Sequence, residues 1–318
     1  MTDLAPSTVR AIDQQPSRAE AYARASRSPA TKRAYTHDWQ HFQTWCSDNQ
    51  YSSLPATPET VANYLATLAD QGRAVATLTR RIAAISQAHQ LAGHPSPTRD
   101  ERVRTVMKGI KRTIGVAQTQ KAPATIEVLR VLIEQVREGL LGTRDRALLL
   151  VGFAGAFRRS ELVSLDVGDV VFMPAGMVIT LRQSKTDQEK EGVKKAIPCG
   201  VFPATCPVRS LQAWIRTANI TSGPIFRPLD RHGNIKQLRL TSQSVALVIK
   251  RYAALAKLDV TDFAGHSLRA GFATTAGAAR VAERDIMRQT GHQSVQMVRR
   301  YIREGELFRD NAASQVGL

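Results

Sequence analysis

The chain has 318 residues, with 44 Lys or Arg against 27 Asp or Glu and a formal charge of +17 at pH 7, giving a sequence pI near 10.4. A surface this basic attracts polyanions, a property shared by nucleic-acid-binding and membrane-surface proteins, and the length allows roughly two domains. The cysteines, Cys46, Cys199 and Cys206, are odd in number and lack close metal-ligand pairing, which argues against a disulfide framework and a structural zinc site. No apolar run approaches the length of a membrane span, and the N-terminus lacks the apolar core of a secretory signal. The expectation is a soluble, intracellular protein without membrane contact, its thiols reduced.

Residues 1–28 are rich in Ala, Ser and Arg, but Asp3, Asp13 and Glu20 argue against an organellar transit peptide, so a loosely docked or disordered tail is expected. The first helix carries Tyr35, Trp39, Phe42 and Cys46 at the spacing of one face. Thr57 before Pro58 marks the start of a second, with Val61, Leu65 and Leu68 on its apolar side. A third carries Leu78, Ile82 and Ile85, with Arg73, Arg80 and Arg81 off that stripe. A fourth, from about Thr98, puts Val103, Met107 and Ile110 inside and Arg102, Lys108, Lys111 and Arg112 outside. A solvated face is the ordinary reading of such cations. Two successive basic faces with few acids also fit a phosphate backbone, so these seven residues are the DNA-binding candidates.

Residues 115–124 lack apolar periodicity and read as a linker between a helical domain at 29–114 and a second domain at 125–318. In that second half Leu129, Leu132, Ile133 and Val136 restart a helix, and residues 147–153 are almost wholly apolar, hence buried. Val170 to Phe172, a turn at Pro174 to Gly176, and Met177 to Leu181 read as a β-hairpin, with a third short strand at Val193 to Ile197. Helical patterns return from about Pro207.

The chemistry is concentrated in a few residues. Gly265-His266-Ser267-Leu268-Arg269, then Gly291-His292, then Tyr301 follow one another near the C-terminus. A tyrosine that attacks a phosphodiester conserves the bond energy in a covalent phosphotyrosyl link, so no metal or nucleotide cofactor is required. Charge builds on the non-bridging oxygens, and guanidinium forks suit it. Arg158 stands where a buried helix breaks and another begins, and Arg269 lies three residues beyond His266. The departing 5′ oxygen needs a proton, and Lys185, just after the hairpin, supplies a movable ammonium. The hydrolase nucleophile elbow is excluded because Arg269 fills its final glycine position, and neither a phosphate-cradling Gly-Lys-Ser/Thr loop nor a His-rich ligand set is present. Tyr252 lacks an adjacent Gly-His, and Tyr35 belongs to a core stripe.

At these residues the chain closely resembles the tyrosine recombinase, or phage integrase, family. The matching elements are Arg158 with Glu161 and Leu162, Lys185, His266 with Arg269, His292 after Gly291, and Tyr301. The layout, including Tyr301-Ile302-Arg303, looks most like the simple, Cre-type members, except that these often carry Trp where this chain has His292. The resemblance implies a mainly α fold with a small β-sheet, in which a helical core-binding domain joins a mixed α+β catalytic domain of the DNA breaking-rejoining type. It implies Tyr301 as nucleophile, Arg158, Arg269 and His292 on the phosphate, Lys185 as general acid, and His266 in proton transfer or phosphate binding, with Glu161 supporting them. The partners implied are double-stranded DNA and further copies of the chain, a tetramer on two DNA sites held through segment 305–318. The implied function is site-specific recombination through a 3′-phosphotyrosyl intermediate. The alternatives are a type IB topoisomerase, which relaxes supercoils, and a non-catalytic DNA-binding regulator.

Overall fold

The computed structural model describes residues 28–116, 121–182 and 192–305. The chain divides into two compact units with the break between residues 119 and 120, inside the stretch read as a linker. Residues 1–27 of the expected tail lie outside the described residues, as do Lys185 and residues 306–318.

The first unit is built from α1 (Pro29–Asp48), α2 (Pro58–Asp70), α3 (Val75–Leu91) and α4 (Glu101–Ile114). Ser28 and Thr57 cap the first two helices by accepting from Thr31 N and Thr60 N, each followed by a proline whose fixed φ suits the first turn. Phe42, Cys46, Val61, Tyr64, Leu65, Leu68, Leu78, Ile85, Val103 and Met107 form one buried cluster. The fourth helix begins at Glu101, capped by Asp100, because a 3₁₀ turn over Pro97–Arg99 occupies the expected start near Thr98.

One expectation is corrected here. Arg81 does not lie on a basic outer face: it is only 5% exposed. Its Nη1 reaches His41 Nδ1 at 2.6 Å and donates to the Tyr64 hydroxyl, and its Nε lies 3.7 Å from Asp38 Oδ1. Arg81 is three residues after Leu78 and four before Ile85, so it shares their inward face. The fully buried Asp38 on α1 compensates the charge there. Arg80 also grips Asp38, through a fork of 2.6 and 3.0 Å, while remaining half exposed.

The second unit surrounds α6 (Leu140–Ala154), which is preceded by α5 (Ile126–Glu134) and followed by α7 (Arg159–Ser164). Residues 147–153 of α6 are buried, as an unbroken apolar run requires. Then β1 (Val170–Met173), β2 (Gly176–Leu181) and β3 (Val193–Pro198) form an antiparallel sheet in the order β1-β2-β3. Alternation buries Met177, Ile179 and Leu181 on β2 and Lys195 and Ile197 on β3, with Ile179 paired to Lys195. The remaining helices are α8 (Pro207–Thr217), α9 (Ser242–Leu255), α10 (Ser267–Ala278), α11 (Glu283–Thr290) and α12 (Val295–Gly305). The fold is therefore mainly α with a small sheet. Among the described residues, no helix is long and apolar enough to cross a membrane.

Two glycines set the last helices. Gly291 ends α11 in the left-handed region, with φ of 66°, where a side chain would be strained. Gly277 on α10 faces Ile302 of α12 so closely that a Cβ there would lie 2.8 Å from Ile302 Cα. The helix carrying Tyr301 is thus seated directly against α10.

Candidate active site

The second unit brings Arg158, Glu161, Arg269, His292 and Tyr301 together. Arg158 is the residue before α7, and Glu161 closes a capping box on it. The Arg158 backbone N–H donates to Glu161 Oε2 at 2.9 Å, and its guanidinium donates to Oε1 at 2.5 Å. Glu161 is 4% exposed, so one buried carboxylate fixes both the main chain and the charged head of Arg158.

Arg269 sits in the first turn of α10 and is buried. Its Nη1 donates to the Ala156 carbonyl at 2.8 Å, while Nη2 is a buried nitrogen without a hydrogen-bond partner among the described residues. Burial lowers its pKa to about 10, with Arg158 adding to the effect and Glu161 and Tyr301 opposing it. It therefore remains a cation at neutral pH, and its electrostatic neighbours are those of the proposed reaction.

His292 follows Gly291 and stacks on Tyr301, ring centroids 5.9 Å apart and planes at 23°. Burial pushes its pKa down to about 4, assisted by Arg269, Arg158 and Lys195. The imidazole is consequently neutral near pH 7 and acts as a hydrogen-bonding group, not as a charge. Its Nδ1 is buried and also lacks a partner among the described residues. Tyr301 lies on α12 with its ring partly buried against Ala273, Ala276, Ile286 and Val298.

His266 immediately precedes the first residue of α10 and is exposed. It stands at the cap, with Arg269 one turn further along. Gly265 beside it packs on Arg159, where a Cβ would come within 2.7 Å of the Arg159 side chain, so the loop carrying His266 abuts the start of α7. Of the rival tyrosines, Tyr252 is buried and donates its hydroxyl proton to Asp145 at 3.0 Å. Burial and the Asp145 charge raise its pKa far above the ordinary phenol value. Both effects oppose nucleophilic use.

The sequence reading missed Lys195. Its ammonium is buried, lowered to about 8 by burial, and coupled to Glu161, Arg269 and Arg158. Two-residue alternation from Ile197 places it inward, but its polarity argued for the outside. Among the DNA-binding candidates, Arg73, Arg102, Lys108, Lys111 and Arg112 are exposed, Arg102 also reaching Asp100 at 3.3 Å. Among the described residues there is no group of three or more His, Cys, Asp or Glu able to hold a metal ion.

Comparison with known proteins gives concordant results. The sequence profile of the phage integrase family matches residues 124–306, and that of the phage integrase N-terminal SAM-like domain matches residues 21–94. An integrase/recombinase XerD homologue of Selenomonas ruminantium is 44% identical over 295 residues, covering 92% of this chain and 86% of that protein. Recombinase Cre of Escherichia phage P1 is 27% identical over 281 residues, covering 81% of this chain and 79% of Cre. Among solved structures, the Tn1549 transposon integrase with transposon right end DNA aligns at a TM-score of 0.61 and 13% identity, covering 92% of this chain and 96% of that one. A lambda integrase dimer bound to a COC′ core site aligns at 0.58 and 17%, covering 89% and 92%. At these identities the structural likeness concerns the fold.

Proposed function

The chain belongs to the phage integrase family, and on that premise we propose how its residues carry out site-specific DNA recombination. The enzyme is a tyrosine recombinase that cuts and rejoins double-stranded DNA. Tyr301 Oη attacks the scissile phosphorus. The P–Oη bond forms as the P–O5′ bond breaks, leaving a 3′-phosphotyrosyl link and a free 5′-hydroxyl. Lys185 supplies the proton that the departing 5′ oxygen takes, and the phenol proton of Tyr301 passes to His266 or, where His266 binds the phosphate instead, to solvent. Rejoining runs the same exchange in reverse with a 5′-hydroxyl of another strand.

Arg158 and Arg269 offset the charge that grows on the non-bridging oxygens. His292, being neutral in the free protein, contributes a hydrogen bond. The observation that carries this reading is the orphaned pair of buried nitrogens, Arg269 Nη2 and His292 Nδ1, in the cluster that holds Arg158 and Tyr301. Buried polar atoms without partners are costly in a folded protein, and a phosphate oxygen satisfies those that carry a proton, as Arg269 Nη2 does and as His292 Nδ1 does in its Nδ1–H tautomer.

The exposed cations Arg73, Lys108, Lys111 and Arg112, with Arg80 and Arg102 in part, form the backbone-binding surface of the first unit. The boundaries that follow are a core-binding domain at 29–114, a linker at 115–124 and a catalytic domain from 125. Four copies assemble on two DNA sites, segment 305–318 of each docking on a neighbour, and the protein works in the cytoplasm at the nucleoid. These assembly features are extended from the family resemblance.

The test pairs a nicked suicide duplex with a supercoiled plasmid carrying two copies of the same site, both taken from DNA that the protein protects at its own genomic locus. Covalent protein-DNA adduct on the duplex together with strand exchange between the two plasmid sites supports recombination. Relaxation of supercoils without exchange indicates a topoisomerase, and absence of adduct indicates a binding protein.

A further inference from the structure

Lys195 has no part in the reaction just described, yet it occupies one of the most constrained places in the second unit. Its side chain is turned inward beside Ile197, and the residue is 4% exposed. Nζ donates to the Gly155 carbonyl at 2.8 Å and to the Gln289 carbonyl at 2.5 Å, and lies 4.9 Å from the centroid of the Phe157 ring. An ammonium has three donors; the two carbonyls engage two of them, and the ring face takes the cation.

The two carbonyls belong to the segments that deliver the reactive groups. Gly155 stands three residues before Arg158, and Gln289 three residues before His292. The neighbouring carbonyls are held as well: Ala154 O accepts from Gln289 Nε2 at 2.8 Å, and Ala156 O from Arg269 Nη1 at 2.8 Å. Three successive carbonyls at the end of α6 are thus each fixed by a side chain from a different element: α11, β3 and α10. The partial negative charge of a helix C-terminus favours the two cations among them.

An apolar residue opposite Ile179 would avoid the cost of burying a charge. The charged groups around Lys195 divide in sign. Glu161 on α7 favours its ammonium, whereas Arg158 before α7 and Arg269 on α10 oppose it; the neutral His292 imidazole senses Lys195 from the turn before α12. Resting on the assignment of Arg158, Arg269, His292 and Tyr301 to the reaction, we propose that Lys195 is a positioning residue for DNA cleavage. It is a buried cationic tie that keeps the Arg158 turn and the His292 turn at a fixed spacing around the phosphate. It acts through those turns and does not touch DNA, which separates it from Lys185.

The experiment uses the full chain with Lys195→Met and Lys195→Arg, the suicide duplex described above, and single-turnover adduct formation across pH 7 to 9, below the range in which Arg269 titrates. For Lys195→Met the expected outcome is duplex affinity within about threefold of wild type and cleavage slowed roughly tenfold to a hundredfold, the scale set by small misplacements of catalytic groups. The wild-type rate is expected to decline with a midpoint near 8 as the buried ammonium loses its proton. That decline is absent in Lys195→Met. It is also absent in Lys195→Arg, which keeps its charge and recovers part of the rate. Should Lys195→Met fail to fold, the alkaline profile of Lys195→Arg decides alone: loss of the decline supports the role and its persistence overturns it. Adduct formed equally fast by wild type and Lys195→Met overturns the role of Lys195 only. Absence of adduct from the wild-type chain overturns the reaction and this role together.

Discussion

The imidazole of His292 lies against the ring of Tyr301, centroids 5.9 Å apart and planes inclined by 23°, so one short helix carries the nucleophile back onto the histidine that precedes it. Since burial and three nearby cations hold this imidazole near a pKa of 4, it works as a neutral group. Titration followed by NMR is expected to show no protonation of His292 above about pH 5. His292→Trp, which retains a ring N–H, is expected to cleave faster than His292→Ala.

The same shift has a consequence for stability. Between the ordinary imidazole value of 6.5 and about 4, the unfolded chain binds a proton that the folded chain does not. Stability therefore falls as pH drops through that window. Thermal melts of wild type and His292→Gln between pH 7 and 4 check this, the variant being expected to show the shallower fall.

Arg158 and Arg269 are tied to Glu161 and Ala156 by hydrogen bonds that leave part of each guanidinium for the phosphate. Lysine has the charge but not the planar fork. Arg158→Lys and Arg269→Lys are each expected to keep DNA binding while losing cleavage by about a hundredfold, the scale of a lost oxyanion donor. Single-turnover cleavage beside a mobility-shift titration separates the two effects.

The close approach of Gly277 to Ile302 leaves no space for a side chain. Gly277→Val is expected to displace α12 and slow adduct formation by on the order of a hundredfold, with duplex affinity largely retained. Equal cleavage by this variant and wild type contradicts the seating of Tyr301 through α10.

In the first unit, Asp38 is the buried counter-ion of Arg81. Removing one partner of a buried pair leaves the other uncompensated, so Asp38→Ala is expected to cost about 3–5 kcal/mol, measured by urea denaturation of the full chain. By contrast, Lys108→Gln, Lys111→Gln and Arg112→Gln are exposed changes. Each is expected to leave stability nearly unchanged and reduce the slope of log affinity against log salt by about 1.

What the sequence made legible followed from repeating patterns. Leu78, Ile85, Val103 and Met107 announced their helices by spacing, the hairpin by its turn residues, and the end of α11 by Gly291. The order of Arg158, Arg269, His292 and Tyr301 pointed to one reaction, and the structure brings these four together. Arg81 and Lys195 were misplaced or missed for a shared reason. Each is polar on an inward face, and what makes that tolerable comes from far along the chain: Asp38 for Arg81, and the carbonyls of Gly155 and Gln289 for Lys195. The seating of α12 against Gly277 is likewise a contact between distant segments, which local periodicity does not encode. Lys185, named from the sequence as the proton donor, lies outside the described residues.

The most direct measurement is peptide mapping of the covalent adduct trapped on the suicide duplex, with Tyr301→Phe run beside the wild-type chain. The account predicts that the nucleotide is esterified to the Tyr301 peptide and that Tyr301→Phe binds the duplex without forming adduct. A nucleotide attached to any other side chain, or adduct formed by Tyr301→Phe, contradicts it.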